Sequence, residues 1–327
     1  MFTEAIEQIL KLECTPATVR AIEAGASPAS LWASIADAGF LEMLTAECDG
    51  GAGLSLVELF PAVVMLGRYA MPAPLAQSIA ARALLNAGAD VPAGMITLAP
   101  ALRRNGAGLA CPLVPFGSIA DYVLAEDGDE LLLLPCAHAE RSTTGVPGSL
   151  VATLTWQGGQ EIRRVPGQAG ALAAFGAALH AALLAGAMQR VFDMTLAYAN
   201  DRRQFGKSIG KFQAIQHQIS EMAEHVVAAS IAAEAAFQSD GALPARLASA
   251  IAKSRASEAA GPVAAIAHAV HGAIGVTEEY DLQLFTRRMH EWRIAHGSEA
   301  CWNRVIGRAA LASDLPMISD FVRTAGA

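Results

Sequence analysis

The sequence predicts a mostly α-helical protein with a small β module at its centre. Hydrophobic residues make up 53% of 327 positions, with heavy Ala and Leu usage and only 17% charged, a composition that suits packed helices and extensive interfaces. Long stretches at both ends repeat apolar residues at helical spacing. Between about 91 and 164 the pattern changes to short apolar runs separated by glycine turns, which read as strands. A chain of this length buries a large core and divides into two or three domains. The divisions fall at 1–95, a helical domain; 96–166, a reduced antiparallel β-domain; and 167–327, a helical bundle.

Residues 1 to about 95 read as helices broken at Thr15–Pro16, Gly25–Pro28 and Asp49–Gly53. Ser27 or Ser30 is the expected cap for the helix that carries Leu31 and Trp32. Cys48-Asp-Gly-Gly-Ala-Gly53 reads as a turn rather than a phosphate cradle, since its glycines simply permit positive φ. A helix follows from about Ser55 and stops before Met71-Pro-Ala-Pro74, where prolines remove donors. Strands are expected at Tyr122–Ala125, Leu131–Pro135, Val151–Trp156 and Ile162–Val165, with turns at Asp127-Gly-Asp and Gln157-Gly-Gly. From Val165-Pro-Gly onward the chain reads as helical, in segments Ala171–Asn200, Phe212–Asp240, Pro244–Ala269 and Asp281–Leu311, joined by short Gly- or Pro-marked connections.

Composition narrows the function classes. With 23 basic and 31 acidic residues the net charge is −8, which argues against nucleic acid as a partner. The five cysteines are scattered, odd in number and without metal-ligand spacing, so no metal site is expected and a reducing, cytoplasmic location fits. The opening MFTEAIEQIL lacks a basic region before an apolar run and does not read as a signal peptide. Leu172–Met188 is long and apolar, but it is rich in Ala and Gly and contains His180; it reads as a core helix rather than a membrane span.

The stretch Tyr198–His225 carries the chemistry. Arg202, Arg203, Gln204, Phe205, Lys207 and Lys211 lie between two helices, with Gln213 in the first turn of the second. In that helix Ile215, Ile219, Met222 and Val226 form one apolar stripe. A guanidinium forks onto phosphate oxygens, and free N–H groups at a helix start favour anions, so a pyrophosphate would suit this segment. A solvated helix–helix turn has the same residues.

Tyr-x-x-x-Arg-x-Gln-Phe-Gly followed by Phe-Gln and an amphipathic helix resembles the flavin-binding signature of the acyl-CoA dehydrogenase family. His271–Leu282 resembles that family's Gln-x-His-Gly-Gly-x-Gly block, with Ala269 and Ala273 departing from it, and Trp32–Leu59 resembles its N-terminal segment. The resemblance implies an acyl-CoA dehydrogenase-like fold and an FAD shared across a subunit interface. It assigns Arg202, Phe205, Gln213, Gly272, Ala273 and Ser298 to that cofactor. It also implies α,β-dehydrogenation of an acyl-CoA thioester, in which a glutamate removes the α proton while hydride leaves the next carbon for the flavin.

The glutamate is missing from both places where the family puts it. In Arg287–Ser298 its position is taken by His296, and the alternative stretch Leu172–His180 has no acid. The family's flavin-ring loop of Thr-Glu-Pro type has no counterpart, and Cys111–Gly117 stands near its place. Glu291 and Glu299 are close in sequence but project in different directions if the segment is one helix. Three functions follow: a subunit that lacks the base and completes a catalytic partner's site in a heteromer, as in relatives acting on bulky or steroid acyl-CoA thioesters; a flavoenzyme, dehydrogenase or oxygenase, with His296 as base; or a flavin-free structural partner. All three expect a dimer or tetramer.

Overall fold

The computed structural model describes residues 2–85, 91–106, 108–159, 162–239 and 241–325. Residues 86–90, inside the stretch read as helical, and Asp240, where a long helix was expected to end, lie outside them.

Five helices come first: α1 (Phe2–Glu13), α2 (Pro16–Glu23), α3 (Ala29–Asp37), α4 (Leu56–Arg68) and α5 (Leu75–Leu84). Thr15 caps α2 by accepting the Thr18 N–H at 3.2 Å, and Ser55 with Glu58 closes a capping box on α4. Neither Ser27 nor Ser30 caps α3; Pro28 holds that position, and the Ser27 hydroxyl accepts only from the Ala29 N–H. Proline preorganises the helix entry without a side-chain acceptor.

The middle holds β1 (Ile96–Leu98), β2 (Arg103–Asn105), β3 (Gly108–Val114), β4 (Tyr122–Asp127), β5 (Glu130–Pro135), β6 (Glu140–Thr143), β7 (Ala152–Trp156) and β8 (Arg163–Pro166). They form two four-stranded sheets, ordered β1-β4-β5-β8 and β2-β3-β7-β6. The expected antiparallel module is therefore corrected in one respect: β1 runs parallel to β4. Leu132 and Leu134 face the second sheet with Leu154 and Trp156, whereas Leu131 and Leu133 face the helices. A sheet covered on both faces explains why Leu131–Leu134 is an unbroken apolar run.

The remaining elements are α6 (Ala171–Asp201), the two-residue strands β9 (Arg203–Gln204) and β10 (Lys207–Ser208), α7 (Gln213–Ala235), α8 (Arg246–His271), α9 (Leu282–Ile294), α10 (Glu299–Leu311) and α11 (Ile318–Ala325). The segment expected as one helix over 281–311 is two, because His296 (φ 52°) and Gly297 (φ 96°) adopt left-handed backbone between α9 and α10. α7 also stops short of the expected end, at Ala235.

α6 is apolar around its circumference and lies at the centre, packed by α4, α7, α8 and α9. Its most apolar window is 94% buried inside the protein, which makes it a core helix. Small residues let neighbours approach closely: a Cβ added at Gly186 would stand 1.9 Å from the Val64 carbonyl oxygen, and one at Gly67 2.2 Å from that of Leu183.

Candidate functional site

The pyrophosphate-type motif forms a projecting hairpin. Gln204 pairs with Lys207, so Phe205 and Gly206 make a two-residue loop, both at positive φ (51° and 81°). For a phenylalanine that backbone is strained. Its ring is 91% exposed, touching only Phe212 edge-on at 6.2 Å, while the Lys207 ammonium covers Phe212 at 4.2 Å. A strained, exposed aromatic gains nothing inside the single chain.

Arg202, Arg203, Lys207, Lys211 and Gln213 are exposed around it. No side chain caps the start of α7 at Phe212, so its first N–H groups add to the positive field. The second motif is adjacent: His271 stacks on Tyr198 with ring centroids 4.5 Å apart, and Tyr280 closes on both. His271 ends α8, and Gly272 (φ 63°) turns the chain outward with open space where a Cβ would be. Ala273 is exposed beside it. Two segments about seventy positions apart are thus joined through the Tyr198–His271 stack. A guanidinium, uncapped amides and an open glycine suit a diphosphate ester.

The other assigned residues lie on the turn between α9 and α10. His296 is 6% exposed, its ring 4.9 Å from that of His180 and directly over Gly176, where an added Cβ would stand 2.1 Å from Nδ1. The two stretches in which the resemblance would place a glutamate therefore meet here, and side chains fill the space between them. Burial, then the Lys253 charge, pushes the His296 imidazole down to about 3, with the Leu98 backbone opposing; His180 is pushed down in the same direction. At neutral pH His296 is thus a weak base, and its Nε2 has no partner. Its carbonyl accepts from the Trp302 indole at 2.9 Å. Ser298 precedes α10 as its cap position without a side-chain hydrogen bond.

Beside this turn a cleft of about 550 Å³ opens between the β-domain and α9. Pro100, Arg103 and Leu113 form one wall, and His290, Ile294 and Ala295 the other. Leu113 belongs to the Cys111–Gly117 stretch, sits at a register shift in β3 and is half exposed. Arg287 joins cleft to scaffold, donating to the Pro147 carbonyl and pairing with Glu23 at 2.8 Å. Glu291 pairs with Arg288, and Glu299 reaches Arg293 across the turn at 2.5 Å, so both acids are committed to ion pairs.

Sequence reasoning missed Glu23, Arg288 and Lys253, which hold the turn and the cleft. Lys253 had a signal: at helical spacing it shares a face with the small residues Ser249, Ala256, Ser257 and Ala260. Among the described residues no group of three or more His, Cys, Asp or Glu side chains is placed to hold a metal ion.

Because His296 has a folded pKa of about 3 against an ordinary 6.5, the unfolded chain binds the proton the folded chain refuses. Stability should therefore fall as pH drops from about 6.5 towards 3. Urea midpoints for His296→Gln should fall less steeply over pH 4–6.5 than those of the parent. Parallel slopes would mean that His296 does not carry the effect.

A helical domain, a β domain and a helical bundle in that order make an acyl-CoA dehydrogenase fold. The chain belongs to the acyl-CoA dehydrogenase family: that family's C-terminal domain matches residues 168–311 and its N-terminal domain residues 1–91. It is 32% identical over 304 residues to acyl-CoA dehydrogenase IpdE2 of Mycolicibacterium smegmatis, covering 89% of this chain and 91% of that one. Among solved structures, the ChsE4–ChsE5 complex of Mycobacterium tuberculosis shares the fold at TM-score 0.83 and 24% identity, covering 96% of this chain and 97% of that chain. A steroid acyl-CoA dehydrogenase variant of Tcur3481–Tcur3483 does so at TM-score 0.80 and 23% identity, over 95% and 98%.

Proposed function

We propose that this chain is the subunit without a base in a heteromeric, FAD-dependent acyl-CoA dehydrogenase, and that it completes a flavin site on a catalytic partner. The observation that carries it is His296: the family's base position holds a buried imidazole at about 3, packed between His180 and Gly176. A group that must meet a substrate α proton needs both access and basicity near the working pH. His296 has neither.

The exposed face supplies the complementary half. Arg202 and the α7 N-terminus would hold the diphosphate, Gln213 would hydrogen-bond beside it, and Phe205 would stack against the cofactor or the partner's surface. Gly272 and Ala273 leave the backbone open to approach, and Ser298 starts the helix behind the turn. When bound, the flavin supplies the hydride acceptor. The substrate class is a bulky acyl-CoA thioester of steroid type, a reading supported by the Tcur3481–Tcur3483 steroid acyl-CoA dehydrogenase whose fold this chain shares. Five free cysteines suit assembly in a reducing cytoplasm.

Purified alone, the chain is expected to carry little flavin and to reduce no dye with acyl-CoA. Co-purified with its partner, the assembly should be yellow and active, and Arg202→Ala with Phe205→Ala should strip flavin from it. Full flavin occupancy and acyl-CoA-dependent dye reduction by the isolated chain would refute this function.

A further inference from the structure

We propose that Lys253 is the positioning residue of the turn between α9 and α10: from α8 its side chain ties both ends of that turn together and so sets the cleft wall formed by Ile294 and Ala295. The residue is 0% exposed, and its Nζ donates to the Arg293 carbonyl at 2.8 Å, the Gly297 carbonyl at 2.8 Å and the Ser257 hydroxyl at 2.7 Å. The two carbonyls bracket Ile294, Ala295 and His296. The Arg293 carbonyl is one of the orphan acceptors that the end of α9 leaves, at the negative end of its dipole, and the Gly297 carbonyl lies beyond the helix in the turn itself. The Ser257 hydroxyl also donates to the Arg293 carbonyl at 3.1 Å, closing the ring of contacts.

The charged and titratable groups around Nζ come from every neighbour: His180 on α6, Arg293 on α9, His296 in the turn, and Glu299 and Cys301 on α10. Burial pushes the lysine down to about 7, with Glu299 opposing. The clamp survives loss of that proton, because a neutral amine still has two N–H groups for the two carbonyls, and its lone pair can take the Ser257 hydroxyl hydrogen once that hydroxyl gives up its bond to the Arg293 carbonyl. While charged, Lys253 also disfavours protonation of His296 and His180, so the imidazole pair stays neutral and packed. One side chain thus fixes the backbone of the turn and adds to the burial that keeps its imidazole neutral.

The test uses Lys253→Met, of similar length and without charge or donors, read by amide hydrogen exchange and by the imidazole titrations of ¹³C-labelled histidines. Exchange over 294–301 should rise about tenfold, the equivalent of one lost hydrogen bond, while peptides from α4 stay unchanged. The His296 midpoint should move up by about one pH unit, which a packing role alone does not produce. If Lys253→Met does not fold, Ser257→Ala removes one partner conservatively and should loosen the same peptide selectively. Exchange in the turn that merely follows the rest of the chain in each folded variant, or a His296 midpoint unmoved in folded Lys253→Met, overturns the assignment.

Discussion

Glu23→Ala is expected to destabilise the protein by about 3 kcal/mol, among the largest losses available from one polar side chain. Glu23 ends α2, and its carboxylate, 7% exposed, receives Arg287 at 2.8 Å and Arg288 at 2.7 Å. The Arg288 side chain is 1% exposed, so deleting Glu23 leaves it, among the described residues, with Glu291 at 2.9 Å as its only ion-pair partner. Its Nε already lacks a hydrogen bond. Breaking a buried pair from one side costs roughly 3–5 kcal/mol because a desolvated charge remains, and the surviving Glu291 contact places this case at the lower end. Glu23→Gln keeps the shape and one acceptor, so its loss should be smaller. Urea unfolding of the two variants measures both; a change below about 1 kcal/mol for Glu23→Ala would show that Glu291 alone satisfies Arg288. Since Arg287 also donates to the Pro147 carbonyl, ligands in the cleft should weaken with Glu23→Ala as well.

Gly186→Ala should be comparably damaging for a steric reason. In an exposed helix the change gains about 1 kcal/mol of propensity. Here the new methyl would stand 1.9 Å from the Val64 carbonyl oxygen and 3.0 Å from the Arg68 amide nitrogen, both backbone atoms of α4. Backbone cannot rotate aside as a flexible side chain does, so α4 and α6 must separate along a core that contains Val63, Leu66 and Leu183. Overpacking costs about 1–3 kcal/mol and occasionally more, and the upper range applies when helix axes must move. Gly307→Ala on α10 is the control: nothing lies within 4 Å of the added methyl, so it should be neutral or slightly stabilising. Thermal melts of the pair isolate the crossing; equal melting temperatures would mean that α4 and α6 yield without cost.

The helix–sheet–helix order was legible because each element has a local cause. The break read at Thr15–Pro16 and the start read at Ser55 are where α2 and α4 are capped, and Leu131–Leu134 reads as a strand because an apolar run of that length between turns fits little else. The connection that carries Arg202, Phe205 and Gln213 was legible too, since it lies between two stretches of helical apolar spacing, which are α6 and α7. The break at His296 was not. A histidine at positive φ has no sequence signature, and the apolar spacing runs through it; the left-handed turn is held from outside by Lys253 and Trp302. The parallel pairing of β1 with β4 was equally hidden, because strand direction is set by what the helices allow the chain to cross.

By itself the sequence determined the family and the order of elements, both of which rest on local patterns and short spacings. Only the tertiary structure decided that His296 is shut inside against His180 and Gly176, that Lys253 fastens the turn from behind, and that Glu23 locks two arginines across domains. Burial and charge pairing depend on segments far apart in the chain. Whether a side chain can act as a base is therefore settled by packing rather than by its place in a motif.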